Sequence, residues 1–142
     1  MKIIIQIALA FAALAISGCA ITQSVRPVTS TDIPLLCVKK NSEVFMAQFV
    51  KELQSQIDAR GIKTRIYEGD KPADCRYRLE YAANWRWDLA MYLAFADLRV
   101  YDNDLLIGEA NYDARAGGGR PDKFGATKTK LRELVDQLFA RH

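Results

Sequence analysis

The side chains most able to do chemistry are few. The chain has three cysteines, Cys19, Cys37 and Cys75, and a single histidine at position 142. A serine or cysteine nucleophile needs a base held beside it, and His142 is the one imidazole on offer. A metal site is disfavoured because one bridge between Cys37 and Cys75 would consume both thiols and the only histidine is His142. The phosphate-cradling pattern fails because Gly125 is followed by Ala126-Thr127. The dinucleotide fingerprint fails at its third glycine, where Asp122 stands after Gly117 and Gly119. Asp88, Asp97 and Glu109 are of the type that performs acid–base work on glycosides. Solvated strand and turn carboxylates are far commoner, so a carboxylate-based hydrolase ranks last among the functional readings. No cofactor is implied.

Two groups of residues suit binding instead. The segment 115–130 holds Arg115, three consecutive glycines, Arg120, Lys123, Lys128 and Lys130, close to the start of a predicted helix. Such a segment can hold a phosphate or sugar acid, or be a flexible basic loop. The run Trp85-Arg86-Trp87-Asp88 places Trp85 in the expected core and Trp87 at a strand end, where it either fills the core as well or meets a glycan ring or a partner. Met91, Leu93 and Phe95 alternate away from the face that the helices are expected to cover. Three large apolar side chains there predict a contact surface, unless the N-terminal segment or the Gly-rich loop folds over them.

The start of the chain speaks of export. Lys2 precedes an apolar run over 3–16, broken only by Gln6 and too short for a comfortable membrane span. It ends in Ile16-Ser17-Gly18-Cys19. That ending resembles the bacterial lipobox. The resemblance implies a signal peptide over 1–18, a diacylglyceryl group on the Cys19 thiol, cleavage before Cys19 and acylation of the new amine. Each buried methylene contributes about 0.8 kcal/mol, so two or more acyl chains hold a protein where one would not. Ala20 in place of an aspartate after Cys19 points to the outer membrane, with the domain facing the periplasm. In an exported protein the remaining pair, Cys37 and Cys75, is most simply read as one disulfide. Closing that loop contributes about 4 kcal/mol in the chain-entropy account. The alternative is two separate buried thiols.

The elements that must position these groups can be read from periodicity. With 142 residues, 50% hydrophobic and 26% charged, the chain suits one folded domain. A net charge of +3 is too small for a dedicated nucleic-acid binder. Residues 19–33 read as the lipidated cysteine and a polar tether, of which the thirteen residues 20–32 reach about 45 Å when extended, and 34–142 as a single periplasmic domain. A strand is expected over 35–38. Asn41 or Ser42 then caps a helix whose apolar face is Met46, Phe49, Val50, Leu53 and Ile57, ending at Gly61. Strands follow over 62–68, 76–87, 91–101 and 105–114, with turns at 88–90 and Asn103-Asp104. In 76–87, Tyr77, Leu79, Tyr81, Ala83, Trp85 and Trp87 share one face. Thr127 caps a last helix with Leu131, Leu134, Val135, Leu138 and Phe139 as its stripe. The fold class is α+β: a two-layer sandwich of two helices on a mostly antiparallel sheet of four to five strands.

This order resembles the small periplasmic domains at the start of TolB-like proteins and in several assembly lipoproteins. At sequence level the chain resembles a family of small, uncharacterised proteobacterial lipoproteins. The residues that carry this are Cys37, Cys75, Trp87-Asp88 with Tyr92-Leu93 and Leu98, then Gly108 and Gly118-Gly119. The resemblance implies placement and no chemistry. The expected protein is an outer-membrane-anchored lipoprotein acting as a non-catalytic interaction or assembly module. Its partners would be the membrane, through Cys19, and an envelope protein. The alternative is a binder of an envelope glycan or small anionic ligand, through Trp87 and Arg120, Lys123 and Lys128.

Overall fold

The computed structural model describes residues 20–142; the signal peptide expected over 1–18 and the expected lipidation at Cys19 fall outside the described residues. The described chain runs β1 (Thr22–Arg26), β2 (Leu36–Lys39), α1 (Gln48–Asp58), β3 (Thr64–Tyr67), β4 (Tyr77–Asp88), β5 (Ala90–Asp102), β6 (Leu105–Asp113), a 3-10 turn (Pro121–Phe124) and α2 (Thr127–Leu138). The strands form one sheet in the order β1-β6-β5-β4-β2-β3. The fold is α+β, as the periodicity predicts. No helix among the described residues is long and apolar enough to cross a membrane.

The sheet has six strands, not four or five, and it is mixed. Pairs β1–β6, β6–β5 and β5–β4 are antiparallel, whereas β4–β2 and β2–β3 are parallel. The additional strand is β1, cut from the segment expected to be a tether. Its residues pair from Thr22 opposite Asp113 to Arg26 opposite Glu109. They are mostly exposed, because an edge strand needs backbone partners and little apolar surface. The following residues are packed as well. Val28 is buried, and its amide donates to the Leu138 carbonyl at 2.8 Å. A Cβ on Gly108 would lie 2.7 Å from Val28 Cγ2, so this close approach requires glycine at 108.

The core forms where the alternation of β4 meets the helix stripes. Leu79, Leu98, Val100, Leu53, Ile57, Leu131, Leu134 and Phe139 are fully buried together. Helix α1 begins later than its capping residues predict. Asn41 Oδ1 accepts the Glu43 amide at 3.0 Å, and the Asn41 side-chain amide donates to the Tyr81 carbonyl at 2.9 Å. Asn41 thus closes a turn against β4, and the helix starts at Gln48. Ala126, not Thr127, stands at the N-cap of α2. The Thr127 hydroxyl instead accepts the Trp85 indole N–H at 3.3 Å. Cys37 and Cys75 form the disulfide expected of them, with Cα atoms 5.8 Å apart. Arg65 of β3 lies along it, its Nη2 3.1 Å from Cys75 Sγ and 2.5 Å from an Asp74 carboxylate oxygen.

One irregularity decides where the hairpin of β4 and β5 points its side chains. Asn84 pairs with Phe95, but Trp85 pairs with Leu93, so Ala94 is an inserted residue. Such a bulge shifts the alternation by one position.

Candidate functional site

Beyond the bulge the hairpin projects to a tip. Trp87 is paired with Met91, and the two are 72% and 48% exposed. Between them Leu89 turns the chain at φ +62° and is 89% exposed. Phe45, also exposed, meets Trp85 edge-on with ring centres 5.3 Å apart. Trp85 itself is buried against Phe49, at 5.5 Å. Trp85 fills the core as expected, and the structure decides the open choice for Trp87, which faces out.

The expected trio of Met91, Leu93 and Phe95 does not form one surface. Leu93 is fully buried opposite Trp85. Phe95 is half-buried, with the Arg115 guanidinium 4.6 Å from its ring centre. Only Met91 of the three is exposed. The bulge at Ala94 is the reason, since it turns Leu93 to the core side that strict alternation reserves for its neighbours. The exposed apolar group is Trp87, Leu89 and Met91. Leu89 was missed because a turn position carries no periodicity; its signal was a large apolar residue where turns favour Gly, Asn or Asp.

The basic Gly-rich segment is not an open anion site. Lys123 is only 2% exposed. Its ammonium donates to the Asp88 carboxylate and to the Gly118 carbonyl. It also lies 5.1 Å from the ring centre of Tyr92 and 5.0 Å from that of Phe124. Lys130, buried beside it, donates to the Lys123 carbonyl and sits 4.9 Å from the Tyr112 ring centre. Burial pushes the Lys130 ammonium below its ordinary range and the Tyr112 hydroxyl above it. Arg120 forks onto Asp122 at 3.0 and 2.5 Å. Lys128 stands apart, at a cleft of about 240 Å³ that Met46, Phe49, Trp85 and Thr127 also line. Arg120, Lys123 and Lys128 therefore do not converge. The segment is a clasp that ties the hairpin, through Asp88 and Tyr92, to the start of α2.

The three candidate acids are likewise engaged separately. Asp88 meets Lys123, Asp97 meets Arg99 at 2.9 Å, and Glu109 meets Arg26 at 3.5 Å. Among the described residues no group of three or more His, Cys, Asp or Glu is placed to hold a metal.

No protein-family model matches the chain, and no curated protein matches it. Solved structures share its fold. It is similar to the PelC dodecamer from Paraburkholderia phytofirmans in space group P6, at 16% identity and a TM-score of 0.59. A variant of that dodecamer in space group C2 matches at 15% identity and a TM-score of 0.53. Each comparison covers 84% of this chain and 98% of the other. At such identities the likeness establishes the fold and carries no activity.

Proposed function

We propose that this protein is an outer-membrane-anchored lipoprotein that acts as a non-catalytic interaction and assembly module of the cell envelope. One observation carries the reading. The groups that could do chemistry, Asp88, Asp97, Glu109 and Lys123, are committed to internal pairs, while one end of the molecule displays large apolar side chains. Catalysis needs a group held ready for transfer, whereas attachment needs apolar surface that can be desolvated. The lipobox ending at Cys19 and the Cys37–Cys75 bridge both suit an exported protein. The neighbours in fold are dodecamers, so association with further copies is the first form of assembly to test.

The test is crosslinking in intact cells followed by mass spectrometry, with Cys19→Ser alongside. The expected result is a lipidated wild-type protein with specific crosslinks to its own copies or to an envelope protein, lost in an uncleaved, unlipidated Cys19→Ser. A monomer without crosslinks overturns the assembly role, and normal acyl modification of the variant overturns the anchor.

A further inference from the structure

We infer that the tip of the β4–β5 hairpin is a lipid-contacting element: Trp87, Leu89 and Met91 seat in the same membrane surface that receives the acyl chains of Cys19. The inference deepens the proposed function and rests on its lipid anchor. Its first support is direction. Thr22, Asp113, Phe95 and Asn84 are register partners in turn, so they form one row across β1, β6, β5 and β4. From that row β1 leads out to Ala20, whose amide donates to the Ala116 carbonyl at 2.9 Å. β4 leads out from the same row, on the same side, to Leu89. Five residues separate Asn84 from Leu89, an overhang of about 16 Å at 3.3 Å per residue. Three strand spacings separate β1 from β4, about 14 Å sideways. In the sequence Cys19 directly precedes Ala20.

The second support is the absence of slack. A thirteen-residue tether would let the domain stand clear of the membrane. Instead residues 22–26 are a strand and Val28 is buried. An acylated Cys19 therefore brings this end of the sheet to the bilayer, and the tip with it.

The third support is composition. An indole and two aliphatic side chains, exposed on a projecting turn, suit the boundary between headgroups and acyl chains. Arg86, exposed at the same end, can reach lipid phosphates while its stem lies on apolar surface; Arg115 nearby is held by the Asp113 carboxylate at 2.9 and 2.5 Å. The tip is also held ready. Lys123 fastens Asp88, and Tyr92 packs edge-on to Phe124 at 5.6 Å, so little order is left to impose when it seats.

Trp85 and Trp87 make the test direct, since one indole is buried and the other exposed. The full chain, purified from membranes, is reconstituted into phosphatidylethanolamine–phosphatidylglycerol vesicles with or without brominated acyl chains. Intact mass reports acylation independently. The expected result is bromolipid quenching and a blue shift of the exposed indole. Both are lost in Trp87→Phe and weakened in Leu89→Asp, each with an unchanged near-ultraviolet dichroism spectrum. Acylated protein that floats with vesicles yet shows no quenching overturns the tip contact and leaves the lipoprotein reading intact. Unacylated protein that is quenched overturns the anchor and leaves the tip contact. A blue shift that grows with protein concentration, without lipid, means that a second copy covers the tip and overturns the inference.

Discussion

The sheet has two antiparallel hairpins that turn at opposite ends. Between β5 and β6 the chain turns through Asn103 at φ +52°, and between β4 and β5 through Leu89 at φ +62°. Asparagine accepts the left-handed region readily, and for other side chains it costs roughly 1–2 kcal/mol. The Asn103 turn is closed by polar groups. Arg76 grips both oxygens of Asp102 at 2.7 Å, and its carbonyl accepts the Asn103 amide at 2.8 Å. The Leu89 turn is flanked by Trp87 opposite Met91. One turn has the residues that reversing the chain requires. The other accepts a backbone penalty and displays apolar surface, which is the usual mark of a place where something binds. The difference teaches that the two turns are built for different ends, one for closing the chain and one for presenting apolar side chains, and the Leu89 turn is the one proposed above to bind.

The largest expected effect contrasts two leucines of that hairpin. Leu93→Lys puts an ammonium where the native side chain is fully buried opposite Trp85. It should lower unfolding free energy by more than about 3 kcal/mol in urea titrations. Leu89→Lys, at the exposed turn, should stay within about 0.5 kcal/mol of wild type. Equal losses at both positions would mean that the tip is packed, and the contrast would fail.

A smaller effect comes from exchanging the turn residues. Leu89→Asn should raise stability by about 1 kcal/mol, and Asn103→Leu should lower it by a similar amount. Thermal melting of the two variants should therefore move Tm in opposite directions. A fall in both would show that the Leu89 side chain supports the fold.

The smallest effect is the share of the pH dependence that the polar turn contributes. The hydrogen bond from Arg76 holds the Asp102 carboxyl below the usual carboxylate range. The folded state then binds fewer protons than the unfolded chain, so this contribution is present above the ordinary aspartate pKa. It is lost as pH falls through the depressed value. The pair is exposed to solvent, so the effect is small. The stability gap between wild type and Asp102→Asn should narrow on acidification. A gap that holds constant at low pH would show that the carboxylate charge contributes nothing to the closure.

Local pattern carried much of this architecture. Tyr77, Leu79, Tyr81 and Trp85 alternate because one face of β4 is dry, and α2 repeats Leu131, Leu134, Val135 and Leu138 because one stripe of it is buried. The disulfide was the simplest reading of two cysteines left after an expected export signal, and the structure bears the pairing out. Three features were illegible for definite reasons. β1 is satisfied by backbone hydrogen bonds at an edge, so Thr22–Arg26 shows no apolar period. A bulge adds one residue without changing composition, so nothing in Leu93-Ala94-Phe95 says which way Leu93 will point. A lysine in a Gly-rich segment reads as solvated, and Lys123 is buried because Asp88 and Gly118 reach its ammonium.

By itself the sequence determined the buried stripes of both helices, the dry face of β4 as far as Trp85 and the order of most of the elements, because these depend on side chains a few positions apart. Only the tertiary structure decided that the apparent tether is a strand, that the basic loop is a clasp, and that Trp87, Leu89 and Met91 project from the end where the described chain begins. Those outcomes depend on backbone pairing and charge partners far apart along the chain, and no local period encodes them.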